Sequence, residues 1–201
     1  MLSFDPSKNT NRENYKTLTS GIVPRPIAFI TSLARDRTVN AAPFSYFNAV
    51  TNEPPTVAIA IQRKSPDVPK DTARNILENK EFVVHIVDEE IITEVDKTAA
   101  ELPPNESEVD LTNLTLTNSS NVSVPGIKEA KVRFECVLDQ AIELKVRNEV
   151  ESDLILGRVI RYHIDNDLYT DGHIDHAGLK PVGTLGRSNY TELGNVFSYK
   201  K

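Results

Sequence analysis

The chain has 201 residues, of which 39% are hydrophobic and 26% charged, and its formal net charge is −6. This length allows one large domain or two small ones with a well-buried core. The acidic balance, with a pI near 5.3, argues against nucleic acid or an anionic membrane as the main partner. The single cysteine excludes an internal disulfide, and we find neither a leader-like nor a membrane-spanning apolar run. We therefore expect a cytoplasmic protein that holds anionic ligands through local donors.

Short runs of β-branched and aromatic residues, bounded by turn residues, predict strands along most of the chain. The predicted strands are 27–33, 56–61, 82–87, 130–138, 141–146 and 153–163. In 56–61, large residues alternate with Ala58 and Ala60, which predicts a strand buried on both sides with one side tight. Gly157 indicates a bulge or a close approach in the last strand.

The run 130–138 has the alternation typical of a half-exposed antiparallel strand. Its apolar set is Val132, Phe134 and Cys136, and its polar set is Lys131, Arg133 and Glu135. We therefore expect the polar set, including Glu135, to face solvent.

Two helices are predicted between the strands. The first spans 71–79, and the second spans about 89–102, with Ile91, Ile92, Val95 and Ala99 on one face and Pro103–Pro104 ending it. We interpret 103–125, whose centre is rich in Asn, Ser and Thr, as a polar surface excursion, either a lid or an interface. Residues 1–20 form an N-terminal extension. Many short strands with few helices favour an antiparallel barrel over a doubly wound sheet.

The usual catalytic and metal-binding signals are weak or missing. The sequence has no GxGxxG, no P-loop and no GxSxG. His173 and His176 flank Asp175, but without a third ligand we interpret them as loop residues and predict no metal site. We expect His85 and His163, in predicted strands, to be packed or hydrogen-bonded there.

The loop 63–75, RKSPDVPKDTARN, puts four cations into an acidic protein: Arg63, Lys64, Lys70 and Arg74. Asp71 and Thr72 are typical N-cap residues, so the loop leads to a helix start. The free N–H groups and the dipole of a helix start favour an anion such as phosphate. The alternative, a solvated charged loop before an ordinary helix cap, remains open.

The stretch 40–50, NAAPFSYFNAV, combines flat apolar side chains with neutral donors. Phe44, Tyr46 and Phe47 supply the rings, and Ser45 and Asn48 supply the polar groups. Beside the basic loop, such a set describes a pocket for a phosphorylated planar heterocycle. The alternative for the aromatic residues is core packing.

Five motifs in this order resemble the flavin reductase-like, FMN-binding split-barrel proteins. They are VPRPIAFITS (23–32), NAAPFSYFNAVTNEPP (40–55), KDTARNI (70–76), FVVHIV (82–87) and LKPVGTLGRSNY (179–190). The resemblance spans about 21–190. It implies a mainly β, antiparallel, Greek-key split barrel with a few short helices, as a single domain over 1–201. It also implies a homodimer with FMN near the subunit interface.

The resemblance also implies where the flavin binds. The ring and ribityl side would be formed by Phe44, Ser45, Phe47, Asn48 and Ala49, and the phosphate side by Arg63, Lys64, Lys70, Asp71 and Thr72. Backbone N–H groups from Ala49 through Val50 to Thr51 would stabilise negative charge on the ring. Arg25 would either approach the flavin or fix its loop through a carboxylate, and Tyr190 would lie at the pocket edge. The run Thr184–Arg187 departs from the family's usual Arg-Leu-Gly-Gly pattern, which leaves the grip on a second substrate open.

The implied function is hydride transfer from NADH or NADPH through FMN to a small acceptor. Such a protein needs no catalytic side chain, because the flavin carries the chemistry. Two alternatives remain: a non-catalytic protein that stores or senses FMN, and a structural β-domain whose pocket has decayed.

Overall fold

A computed structural model describes residues 1–146 and 148–199. Its strands are β1 (Arg25–Pro26), β2 (Ala28–Leu33), β3 (Val39–Phe44), β4 (Phe47–Asn52), β5 (Pro55–Gln62), β6 (Glu81–Ile86), β7 (Leu116–Thr117), β8 (Gly126–Ile127), β9 (Val132–Val146), β10 (Glu149–Ile164), β11 (Tyr169–Thr170), β12 (His173–Ile174), β13 (Gly183–Gly186) and β14 (Asn189–Thr191). The α-helices are α1 (Asn11–Gly21), α2 (Asp71–Asn79), α3 (Ile92–Lys97) and α4 (His176–Leu179), and Pro6–Lys8, Glu108–Leu111 and Asn166–Leu168 form 3₁₀ helices.

Seven strands form one antiparallel sheet in the order β3-β2-β6-β9-β10-β5-β4. The two ends of this sheet come together, because Phe44 of β3 packs in the same core cluster as Ile59 and Ile61 of β5. The mainly β split-barrel prediction is confirmed. Over the ranges described, no helix is both long and apolar enough to cross a membrane.

The predicted alternation in β5 is largely present. Val57, Ile59 and Ile61 are buried, whereas Ala58 and Ala60 are half-buried rather than fully covered. Gly157 is needed for close packing, since a Cβ there would lie 2.2 Å from Cζ of Phe82. The register of β9 on β10 also shifts between Leu156 and Gly157, so the predicted bulge and close approach are both found.

The predicted break between strands 130–138 and 141–146 is wrong. β9 runs without interruption from Val132 to Val146 and pairs with β10 along this length. Asp139 and Gln140, at the predicted break, are exposed; Gln140 pairs with Leu156, and the bulge leaves Asp139 without a partner in the register. The cross-strand hydrogen bonds to β10 therefore override the local turn preference.

Glu135 is fully buried, contrary to the prediction that it faces solvent. Its carboxylate accepts backbone N–H bonds from Ser120 (2.7 Å) and Asn121 (2.6 Å), and Nε2 of His163 lies 2.5 Å away. Burial alone would raise the pKa of Glu135, but these hydrogen bonds lower it. The polar excursion thus folds back over the barrel, and His163 is hydrogen-bonded as predicted.

Helix α3 is much shorter than the predicted helix 89–102. The carboxylate of Asp88 accepts the N–H groups of Glu90 (2.9 Å) and Ile91 (3.2 Å), which makes a turn instead of a first helical turn. At the other end, Thr98 Oγ1 donates to the carbonyl of Val95 at 2.7 Å. Side-chain bonds of this kind compete with the helix and stop it well before Pro103.

Helix α1 has no counterpart among the predicted elements. A capping box fixes its start, since the side chain of Thr10 accepts the N–H of Glu13 and the carboxylate of Glu13 accepts the N–H of Thr10. Thr19 is its buried residue, so the helix lies on the surface with most side chains exposed.

His85 is fully buried and held at both ring nitrogens, as predicted for a packed histidine. Ile127 donates its N–H to Nε2 at 2.8 Å, which leaves the proton on Nδ1, 2.9 Å from the carbonyl oxygen of Phe29. Burial lowers the pKa of His85 to about 4. The folded protein therefore holds the neutral ring.

We predict that His85 makes folding pH-dependent between about 6.5 and 4. Its folded pKa lies below the ordinary value of 6.5, so its contribution is complete above pH 6.5 and falls as pH drops toward 4. From pH 7.5 to 5.0 the free energy of unfolding should fall by roughly 2 kcal/mol through this group. Urea unfolding at both pH values measures it. His85→Gln should lose this part of the slope, and an unchanged slope would contradict the assignment.

Candidate functional site

The stretch 40–50 forms two strands rather than one. It contains most of β3 and the start of β4, joined by a turn at Ser45–Tyr46. Phe44, at the end of β3, is 9% exposed and belongs to the core. The packing alternative therefore holds for Phe44, while Ser45, Tyr46 and Phe47 are half-buried and the stretch becomes exposed from Asn48 onward.

A buried polar network fixes the start of α2 against β2 and β3. Nδ2 of Asn40 donates to Oγ1 of Thr72 at 2.8 Å and lies 3.3 Å from Oγ of Ser32. Nδ2 of Asn75 donates to the same Ser32 oxygen at 3.3 Å. All four side chains are buried, so these bonds hold the helix start in one place.

A cavity of about 120 Å³ lies where the helix start meets β3. Five residues predicted for the site line it together: Phe44, Lys64, Lys70, Asp71 and Thr72. The prediction that Asp71 or Thr72 caps α2 is wrong: Lys70 is the N-cap residue, and its side chain makes no bond to the helix. Residues of this first turn can therefore present N–H groups to an anion.

The cations around this cavity are less available than their number in the sequence suggests. The carboxylate of Asp71 pairs with Nζ of Lys64 at 2.6 Å and with Nη1 of Arg74 at 2.5 Å. Burial alone would raise the pKa of Asp71, but the Lys64 bond and the Arg74 charge lower it. In the part of the chain that the structure describes, Lys70 forms no ion pair.

Glu108 adds a titratable group to the same cavity. Its side chain is buried, and its Oε2 accepts the N–H of Ala41 at 3.0 Å. Burial raises the pKa of Glu108, and the nearby charge of Asp71 raises it further. Because Glu108 ionises less readily, it adds less negative charge to the cavity and repels an anion less.

Arg63 lies away from this cavity. Its guanidinium is bound to Asp153 through Nη2 at 2.7 Å and Nε at 3.0 Å, and its side chain is 8% exposed. It lines a different cleft, together with Tyr46. The phosphate role that the resemblance implies for Arg63 remains a prediction.

Arg25 is buried and fixes the loop before β2. Its Nη1 donates to the carbonyls of Thr19 (2.5 Å) and Ile22 (2.6 Å), and its Nε lies 3.4 Å from Oγ of Ser45. Among the described residues, no carboxylate lies within ion-pair distance of it. Arg25 thus holds the loop through carbonyls, not the expected carboxylate, and brings a positive charge next to Ser45.

The remaining predicted ring-side residues lie on β4, an edge strand of the sheet. Asn48, Ala49, Val50 and Thr51 are exposed, and the register against β5 skips Val50. Oδ1 of Asn48 accepts the N–H of Ala49 at 2.8 Å. Within the described sheet, β4 therefore has one edge that pairs with no other strand.

Tyr190 lies apart from both the cavity and the edge strand. Its hydroxyl donates to Oδ1 of Asp96 at 2.6 Å, and it lines a separate opening with Glu89 and Ile92. Burial, then the bond to Asp96, raises the pKa of Tyr190 to about 12. Within one chain Tyr190 does not line the proposed flavin pocket, so its role at the pocket edge stays a prediction.

Several residues of the cavity were missed by sequence reasoning. They are Asn40, Ala42, Pro43, Glu108 and the segment 98–102. Asn40 could have been predicted, because it is the first residue of the stretch 40–50 and a polar residue on an otherwise apolar strand. Ala42 and Pro43 also lie on β3, whereas Glu108 and the segment 98–102 come from a 3₁₀ helix and a turn that no local pattern connects with β3.

His173 and His176 lie near α4, where Asp175 caps the helix by accepting the N–H groups of Ala177 (2.9 Å) and Gly178 (3.1 Å). Within 1–146 and 148–199, no group of three or more His, Cys, Asp or Glu side chains is placed to hold a metal.

The fold is that of the flavin reductase-like split-barrel proteins. Residues 20–178 match the model of the flavin reductase like domain, and the chain belongs to that family. It is similar to the crystal structure of nitrilotriacetate monooxygenase component B from Bacillus cereus, with 48% identity, a TM-score of 0.96, and coverage of 99% of this chain and 98% of that chain.

Two further relatives cover nearly the whole chain. The crystal structure of Pseudomonas fluorescens 2-nitrobenzoate 2-nitroreductase NbaA is 29% identical, with a TM-score of 0.89 and coverage of 100% of this chain and 96% of that one. The uncharacterized protein YwrF of Bacillus subtilis (strain 168) is 44% identical over 201 residues, covering 98% of each chain.

Proposed function

We propose that the protein is an FMN-dependent oxidoreductase that passes hydride from NADH or NADPH to a small acceptor. The observation that carries this is the start of α2, without a side-chain cap and with Lys70 unpaired among the described residues, beside a cavity of about 120 Å³. Helix N–H groups and one lysine favour a phosphate. The cavity suits a phosphate-sized group and is too small for a tricyclic ring.

The residues that follow Phe44 along the chain suit the ring and the ribityl chain. Phe44 lines the phosphate cavity, and the turn with Ser45 and the edge strand β4 come directly after it. Arg25 places a buried positive charge beside Ser45, where it would favour negative charge on a bound ring. Bound FMN would supply the hydride chemistry, and the chain would bind and orient it.

The comparisons support a reductase over a storage protein. Two similar proteins carry the names of a nitroreductase and of a monooxygenase component. Family membership supports a flavin, and the small cavity at the helix start supports the 5′-phosphate of FMN as its anchor. The choice between NADH and NADPH is tested by the experiment that follows.

We expect the purified protein to bind FMN and, under anaerobic conditions, to lose its yellow colour within seconds when NADH or NADPH is added. Absorbance in a stopped-flow cell measures both binding and reduction. FMN that binds but stays oxidised under excess of both donors would favour the storage or sensor alternative. A protein that takes up no flavin at all would end the proposal.

We predict that Lys70→Gln weakens FMN binding by about tenfold and changes riboflavin binding by less than about twofold, because only FMN carries the phosphate. Titration calorimetry with both flavins measures the difference. Lys80→Gln is the matched control, since Lys80 is exposed at the opposite end of α2. Arg63 is not replaced, because its loss would leave the buried carboxylate of Asp153 without its ion-pair partner. Equal losses for both flavins would place the phosphate elsewhere.

We also propose that a second copy of the chain covers the outer face of the sheet. This face carries Ile142 and Leu144 of β9, each 44% exposed, with Leu154 and Ala60 in register beside Ile142 across β10 and β5. A contiguous apolar patch of this kind marks an interaction surface.

The dimer proposal predicts a sedimenting mass of twice 22.4 kDa. Ile142→Lys should shift the protein to the monomer, because it puts a charge into the proposed interface. Leu111→Lys, at a residue of matched exposure (45%) in the 3₁₀ helix Glu108–Leu111, should leave the mass unchanged. A monomeric wild type would contradict the proposal.

A further inference from the structure

A second cleft, separate from the phosphate cavity, lies between helix α1 and the barrel. Its volume is about 570 Å³, within the usual range for small-molecule sites. Tyr15 and Leu18 of α1 form one side, and Tyr46 of the β3–β4 turn belongs to the barrel side. Neither the phosphate cavity nor the face proposed for the second copy includes these residues.

The two tyrosines make this cleft suited to a planar ring. Among the described residues, neither hydroxyl has a hydrogen-bond partner, and both side chains are accessible. Aromatic side chains of this kind stack on nucleobases, whose faces are all flat. Asn11 and Gln62 add amide groups that can hydrogen-bond the edge of such a base.

The charged residues of the cleft suit a ribose phosphate. Arg12 is exposed and forms no ion pair with any described carboxylate, so its guanidinium is available for a phosphate. Arg63 is held in place by Asp153 and contributes a fixed wall. Glu151 and Ser152, at the β10 side, offer acceptors for sugar hydroxyls.

The position of the cleft connects it with the proposed flavin strand. Tyr46 stands between Ser45 and Phe47, so one end of the cleft adjoins the residues proposed for the ring. We infer that the cleft between α1 and Tyr46 binds an adenylate group, the end of a dinucleotide whose redox end lies at β4. The assignment of the cleft to one end of a dinucleotide rests on the proposed function. The binding of adenylate in the cleft does not.

The first test measures AMP binding to the FMN-loaded protein by calorimetry. Tyr15→Ala should weaken AMP by about tenfold through lost stacking, and Tyr15→Phe should restore it. Arg12→Gln should weaken AMP by about fivefold and leave adenosine unchanged, because only AMP carries the phosphate. Lys16→Ala, on the same helix but outside the cleft, is the matched control.

Two arms distinguish the source of the adenylate. If it belongs to the hydride donor, Tyr15→Ala raises KM for NADH with kcat unchanged, and leaves KM for reduced nicotinamide mononucleotide unchanged. If it belongs to FAD, the same variant weakens FAD and not FMN.

Equal AMP affinity in the wild type, Tyr15→Ala and Arg12→Gln would overturn the inference, as would displacement of FMN by AMP. If Tyr15→Ala and Arg12→Gln bind both FMN and AMP as tightly as the wild type does, the adenylate inference is wrong. The proposed function is not affected by that result. Absence of FMN binding in the wild type would end the proposed function, and AMP binding would still be decided by its own titration.

Discussion

The hydrogen bond from Asn40 to Thr72 is the contact on which the site depends. It joins β3, which delivers Phe44 and the turn, to the first turn of α2, which delivers the N–H groups proposed to hold phosphate. Ser32 and Asn75 complete the network, and all four groups are buried. Removing one partner would leave a buried amide or hydroxyl unsatisfied, which costs about 1–3 kcal/mol. The helix start and β3 are therefore held as one unit.

The charges of the basic loop are largely used by the fold itself. In a chain of net charge −6, a cation near the core finds a carboxylate easily, as Arg63 does with Asp153 and Lys64 with Asp71. Such pairs cost desolvation energy and are kept where their geometry is good. The attraction that remains for an anion comes from the backbone of α2 and from Lys70. This arrangement favours a ligand with one terminal phosphate over a polyanion.

Local signals predicted the elements that depend on local sequence. Helix α2 has its predicted bounds because its start follows a proline-stiffened loop, and β5 shows its alternation of large and small residues. Helix α1 was readable from the Thr10–Glu13 capping box and was missed. The burial of Glu135 could not be predicted, because its partners Ser120 and Asn121, 15 and 14 residues earlier, lie in an irregular loop whose path the sequence does not indicate. A period-two pattern cannot show what folds over a strand.

The long strand β9 is the feature that supports the proposed second copy. Beyond Val137 it no longer pairs with β6, so β10 is its one partner within the described part of the sheet. Its last residues, including Ile142 and Leu144, are exposed. Opposite this stretch β10 pairs with β5, so the sheet is continuous there and its exposed apolar side chains form a patch suited to association. The edge strand β4 also presents unpaired backbone groups, because among the described residues no strand pairs with its outer edge. A second copy on the apolar face and a flavin along the β4 edge would cover both, which ties the assembly and the cofactor to the same open sheet.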